Sequence, residues 1–342
     1  MDSQRRDFLK LASSGAAGAA GLAMTLGAEQ VFADEAGTAA ALGQAQGPGL
    51  TGPYLDLTTA AGNQVAYARM SGNLDESKQK MGWFKGYVMA VRPDNKVKDL
   101  FGFEGFGMSR LHYEEKTGLY QKILREVGLY TDLKTGEVLE EWRNPLTNED
   151  VRVVHVANDP YNFKIGKNFP GAEVFNEKTG KTKMKMVPLI LPWQSRGGRL
   201  ELEMHIHLLY KNKLKPAKWP RESSGEMVRA SEMFNYHIDP ADMQNEKLTT
   251  IPFHGTWGRI TPWLPWMLMG QGDGHCMYNA FMGSGEDLEE VMSRNVLDYV
   301  EKNYPKYFNA PDEWEGFGAS SLENYAKEQT PAPALEPEEA PE

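Results

Sequence analysis

The sequence predicts a mostly β fold, an antiparallel barrel or sandwich with one late helix. Residues 198–210 (GRLELEMHIHLLY) alternate Leu200, Leu202, Met204, Ile206 and Leu208 with Glu201, Glu203, His205 and His207, the period of two of a half-buried strand. Other runs rich in aromatic and β-branched residues are separated by Gly- and Asn-bearing turns, the punctuation of antiparallel hairpins. Only residues 286–303 carry a clear helical stripe, and strands do not alternate with helices.

From the N-terminus, Arg5 and Arg6 precede Phe8, Leu9 and Lys10, then a mild apolar stretch from Leu11 to Leu26 and a small-residue exit at Val31-Phe32-Ala33. That is the layout of a removable export signal, and paired arginines before Phe-Leu-Lys resemble the twin-arginine type. Cleavage is expected after Ala33, leaving no stable membrane anchor, because the stretch is too mild to span. The expected destination is the periplasm or the exterior, and the twin-arginine translocase is the implied partner during export. Residues 34–52, rich in Ala and Gly, read as a flexible leader. Strands are predicted at residues 82–91, 119–130, 137–143, 150–157, 198–210 and 227–238, with turns at 132–136 and 144–148. The helix predicted at 286–303 has Ser284 as its N-cap and Pro305 as its stop. Residues 326–342, with prolines among glutamates, read as a disordered acidic tail. One domain, residues 53–325, remains.

Composition limits the function classes. The net charge is −10, and a surface of that sign repels phosphate backbones, so nucleic acid is not expected as a partner. Cys276 is the only cysteine, so an intrachain disulfide is excluded. A hydrophobic content of 41%, with 11% aromatic, supplies an ordinary core instead. No P-loop, GxSxG or HExxH motif occurs.

Three segments resemble an uncharacterised bacterial family whose members carry twin-arginine signals. They are residues 135–145 (TGEVLEEWRNP), 155–160 (HVANDP) and the motif Trp257-x-Arg259-x-x-Pro262-Trp263-x-Pro265-Trp266-Met267. The resemblance covers roughly residues 54–315. It implies a lipocalin- or calycin-like fold, a closed antiparallel β-barrel, and no assigned reaction.

Four constellations can carry chemistry. His205 and His207 share one strand face with Glu201 and Glu203 and are candidate ligands for a divalent metal, with His237 as a third; the same pattern also describes a solvent face. The block from Phe253 to Trp266 holds His254, Trp257, Arg259, Trp263 and Trp266. It reads as the apolar wall of a small-molecule pocket with one cationic donor, or as a plug of the barrel. Met267, Met269, His275, Cys276, Met277 and Met282 suggest Cu(I), or ordinary core filling. Asn158-Asp159-Pro160 offers an acid or base, or a plain turn.

The resulting expectation is an exported barrel binding a hydrophobic, aromatic or terpenoid-like molecule through Trp257, Trp263, Trp266, His254 and Tyr278. Two classes stay open. In a lyase, isomerase or cyclase, Arg259 with His237 or Glu232 would polarise and deprotonate the ligand; in a carrier or sensor, the same pocket performs no chemistry. By strand parity, only one of His237 and Glu232 faces inward.

Overall fold

The structure, a computed structural model, describes residues 47, 49–94, 96–176 and 181–334. The expected signal and residues 34–46 and 48 of the leader lie outside the described residues, as do residues 335–342 of the tail. In chain order the elements are α1 (Ala60–Ser71), β1 (Lys80–Val91), β2 (Val97–Glu114), β3 (Leu119–Thr131), β4 (Glu141–Arg143), β5 (Asp150–Arg152), β6 (Val156–Asn158) and β7 (Phe163–Ile165). There follow β8 (Asn168–Asn176), β9 (Lys181–Pro188), β10 (Trp193–Arg196), β11 (Arg199–Lys211), β12 (Met227–Ile238) and α2 (Pro240–Gln244). The chain continues with β13 (Phe253–Thr261), β14 (His275–Ser284), α3 (Leu288–Val291), α4 (Arg294–Asn303) and α5 (Ser321–Glu328).

The dominant element is a 10-stranded antiparallel sheet in the order β10-β11-β12-β13-β14-β1-β2-β3-β6, with β7 also on β3. The expected closed barrel is not what forms: the sheet stays open, and its end strands do not pair with each other among the described residues. A helix stands between those edges instead. Asn63 of α1 accepts from the Leu191 backbone (3.0 Å) and from Trp193 Nε1 (2.8 Å) on the β10 side. The next residue, Gln64, donates to Ile165 O (3.0 Å) of β7 and to Gly118 O (2.8 Å) of the β2–β3 turn. Each edge thereby meets polar side chains of a buried helix rather than the other edge's backbone.

Thr59 caps α1 by accepting from Gly62 N at 3.1 Å. Arg69 of α1 anchors the far end, donating to the carbonyls of Asp242, Met243, Asn245 and Leu248. This helix is buried on nearly every side.

The alternation read in residues 198–210 is realised in β11, where Leu200, Leu202, Met204, Ile206, Leu208 and Tyr210 are all buried. Its partner β12 runs over the residues expected of it, in the register Leu202↔Tyr236 to Leu208↔Ala230. Elsewhere the structure is finer than the reading. Within residues 137–143 only β4 is strand, and residues 150–157 divide into β5 and the start of β6. The predicted helix over 286–303 is two helices. Glu104 of β2 separates them by accepting from Ser293 N (3.1 Å) and Ser293 Oγ (2.9 Å), which pulls Ser293 into an extended cap. The cap of α3 is Asp287 rather than Ser284, which ends β14 and is fully buried.

The concave face of the sheet encloses the main core, in which Phe84 stacks on Phe103, and Trp257 and Tyr278 pack against Phe103 tilted and edge-on. On the outer face of β2 and β3 a second core forms from Phe106, Val127 and Leu129 against Val296, Leu297 and Val300 of α4. Gly105 lets the Phe84 ring lie flat on the sheet, since a Cβ there would stand 2.4 Å from Phe84 Cζ and 2.2 Å from Val127 O.

Candidate functional site

Three adjacent strands aim one row of side chains into the concave face. Glu232 of β12 stands opposite Arg259 of β13, which in turn stands opposite Tyr278 of β14. Glu232 is fully buried, its Oε1 lies 3.4 Å from Arg259 Nη1, and its Oε2 accepts from Trp257 Nε1 at 2.9 Å. Burial is the largest influence on Arg259 and opposes its charge, but Glu232 together with the hydroxyls of Tyr278, Tyr210 and Tyr130 outweighs it and raises the guanidinium pKa. Tyr278 and Tyr130 share a hydrogen bond at 3.1 Å, and burial drives the Tyr130 hydroxyl up to about 12, so both remain neutral phenols.

Beyond this row the chain leaves β13 through Pro262 and Pro265, which favour extended or turn backbone before them. Trp263 is pinned by Nε1 donating to Gly272 O at 2.9 Å, and Trp266 sits in a single 3-10 turn against Phe101 and Tyr130. These residues wall a cavity of about 90 Å³. Arg259 and Tyr278 form its floor, Trp263 and Trp266 one side, and Leu322 and Tyr325 of α5 cover it. The helix α5 is held by a Ser320/Glu323 capping box, by Lys213–Glu323 at 2.8 Å, and by Asn324 donating to Asn158 Oδ1.

Arg259, Trp263, Trp266 and Tyr278, all singled out in the sequence, are therefore brought together. Trp257 lies behind them in the closed core, tied to Glu232 and packed on Phe84 and Phe103. His254 does not join the pocket: it is exposed and lies 3.2 Å from Glu286. On β12, Glu232 faces inward and His237 outward, 3.8 Å from Glu201.

His205 and His207 are exposed on the outer face of β11. His205 contacts Glu203 at 2.9 Å and His207 contacts Ser231 Oγ at 2.9 Å. Among the described residues no group of three or more His, Cys, Asp or Glu is arranged to hold a metal ion. Buried Cys276 faces the Met267 sulfur at 3.7 Å, and burial pushes its thiol up to about 12. Asp159 is an ion-pair centre rather than a free acid, bound by Arg125 at 2.9 Å and Lys306 at 2.5 Å.

Tyr210 and Glu222 are among the pocket residues that sequence reasoning missed, as is a neighbouring charged cluster. Tyr210 continues the inward parity of Leu200 to Leu208, so its signal was present. Glu222 lies in the loop after β11, where no periodicity points to burial. The cluster is Lys80, Lys122 and Glu126, all buried on the concave face around a space of about 10 Å³, room for one water. Lys80 donates to the carbonyls of Arg69 (3.1 Å) and Ile251 (2.6 Å). Burial lowers the Lys122 amine to about 7. Burial, with Glu232 beside it, lifts Glu126 well above the usual carboxylate range, against the pull of the Asn158 amide.

His155 also borders the pocket. Its Nδ1 accepts from Tyr130 N at 3.2 Å, which puts the proton of the neutral ring on Nε2, and burial lowers its pKa to about 4. A wider polar cleft of about 250 Å³ lies on its other side, lined by Glu140, Arg152, Tyr299 and Asn324.

The family described as "Protein of unknown function (DUF1838)" matches residues 77–329. The chain belongs to that family. The match spans β1 through α5 and so includes every pocket residue named above. None of the curated proteins matches the chain. Among the described residues, no helix is long and apolar enough to cross a membrane.

Proposed function

We propose that the protein binds a compact small molecule in the cavity above Arg259. The observation that carries this reading is Arg259 itself. It is 8% exposed, lines the cavity, and keeps a buried Nε with no hydrogen-bond partner. A buried donor in that condition is costly, so a ligand acceptor is the natural occupant of the space before it. Trp263, Trp266 and Tyr278 supply flat apolar walls for the rest of the molecule. A cavity of about 90 Å³ favours a compact ligand; a terpenoid requires α5 to move aside.

The carrier or sensor form of this reading is better supported than catalysis. Glu232 is already engaged by Trp257 and Arg259, and His237 faces away from the cavity, so neither stands ready as a base. A thermal-shift screen of small polar molecules against wild type and Arg259→Lys tests the pocket. An ammonium keeps the Glu232 ion pair but loses the guanidinium geometry. Hits should raise the midpoint of the wild type by several degrees and that of the variant by much less; hits indifferent to Arg259→Lys would refute the site.

We also propose export by the twin-arginine route, on the strength of Arg5, Arg6 and the segment behind them. Replacing both arginines by lysine should leave the precursor in the cytoplasm, and undiminished delivery would count against this.

A further inference from the structure

Tyr210, Glu222 and Arg259 are each more than nine-tenths buried, each lines the same cavity, and each leaves an atom without a hydrogen-bond partner: Tyr210 Oη, Glu222 Oε2 and Arg259 Nε. Trp266 Nε1 and His155 Nε2 border the same cavity and are unpartnered as well. Folded proteins rarely strand five buried polar atoms around one space, and such a set describes the complement of what belongs there. Arg259, Trp266 and His155 offer N–H donors, Tyr210 a hydroxyl that gives or accepts, and Glu222 the one carboxylate acceptor.

The charges are not balanced in the same way at the two ends. Arg259 has its counter-ion in Glu232, so that end is neutral as a pair. Glu222 has none. Its Oε1 takes the Ala332 N–H at 2.6 Å, and no Lys, Arg or His pairs with it among the described residues. A buried carboxylate without a cation is expensive, and a cation arriving in the ligand removes that cost. The walls suit a cation as well. Tyr130, Tyr210, Trp263, Trp266, Tyr278 and Tyr325 all border the space, and aromatic faces attract ammonium groups.

Building on the pocket reading above, we infer that the ligand is a small organic cation: a protonated amine held by Glu222 among aromatic faces, with a neutral acceptor group reaching Arg259 and Tyr210. Glu222 is then the specificity-determining residue. Its loop is tied through Ala332 to the segment after α5, so the covering helix and the cation site are mechanically linked.

The test compares probes of matched size by calorimetric titration of the folded protein: β-alaninamide (amine and acceptor), propionamide (acceptor alone) and propionate (anion). β-Alaninamide should bind at least tenfold more tightly than either of the others. In Glu222→Gln, which keeps an oxygen for Ala332 N–H, that advantage should shrink to within about twofold. Propionamide or propionate binding as tightly as β-alaninamide would overturn the cation assignment while leaving a ligand pocket in place. So would an advantage that survives Glu222→Gln. If none of the three binds and only water fills the cavity, the pocket reading itself falls and takes this inference with it. The comparison on wild-type protein stands whether or not the variant folds.

Discussion

Removing the positive charge from the buried Glu232–Arg259 pair should destabilise the fold strongly, and removing both charges should restore most of the loss. Glu232 is fully buried and Arg259 nearly so, with 3.4 Å between Oε1 and Nη1. At an effective dielectric near 20 their attraction is about 5 kcal/mol, and burying two ions costs several kcal/mol each, so the intact pair contributes little net stability. Arg259→Met keeps the desolvation of Glu232 and removes its counter-ion, leaving only the Trp257 N–H on the carboxylate. The expected loss is about 3–5 kcal/mol. Glu232→Gln alone strands the guanidinium instead. The double variant, Arg259→Met with Glu232→Gln, buries neither charge and preserves an acceptor for Trp257, so it should be within about 2 kcal/mol of wild type. Urea melts of the four proteins close the cycle, and a coupling of at least about 2 kcal/mol is expected. A double variant as unstable as the two single losses added together would show that the groups act independently, and the electrostatic account of the pocket floor would be wrong.

Other expectations test other parts of the fold. His155 is held neutral by burial, with its pKa lowered from 6.5 to about 4. Between those values the unfolded chain takes up a proton that the folded one refuses, so stability falls as pH drops through that window. The effect amounts to about 3 kcal/mol, and denaturant melts of His155→Gln between pH 7 and 4 should lack this component. Gly105→Ala drives a Cβ against Val127 O and Phe84 Cζ and should cost about 3 kcal/mol; a midpoint within about 1 °C of wild type would refute the close aromatic packing. Ser320→Ala breaks the capping box of α5 and should weaken that helix by about 0.5–2 kcal/mol. Hydrogen exchange should then accelerate over α5 and not over β11.

The strands were legible where one face is wet. β11 and β12 alternate cleanly because their outer faces meet solvent, and parity alone orients Glu232 and His237. β2 is harder, since α4 covers its outer face and erases the alternation over Phe101–Met108; β3, covered by the same helix, was still legible at 119–130 from its β-branched and aromatic content. The open sheet was not legible, because closure is prevented by α1. That helix buries Asn63, Gln64 and Arg69 and therefore presents no apolar stripe to read. The tryptophan block was visible as a wall, but its first part was not legible as the strand β13, since Gly255 and Gly258 interrupt the pattern. Glu222, Glu126 and Lys122 escaped for one reason: charged side chains are read as surface unless a partner is seen, and their surroundings are assembled from distant segments.

The central claim is that the space above Arg259 is a ligand site, and the most direct measurement is mass spectrometry of small molecules released from natively produced protein. The account predicts one compact basic compound at close to one equivalent in the wild type and its loss in both Arg259→Lys and Glu222→Gln. Wild-type protein that carries nothing, and whose melting midpoint no small amine raises, would contradict it.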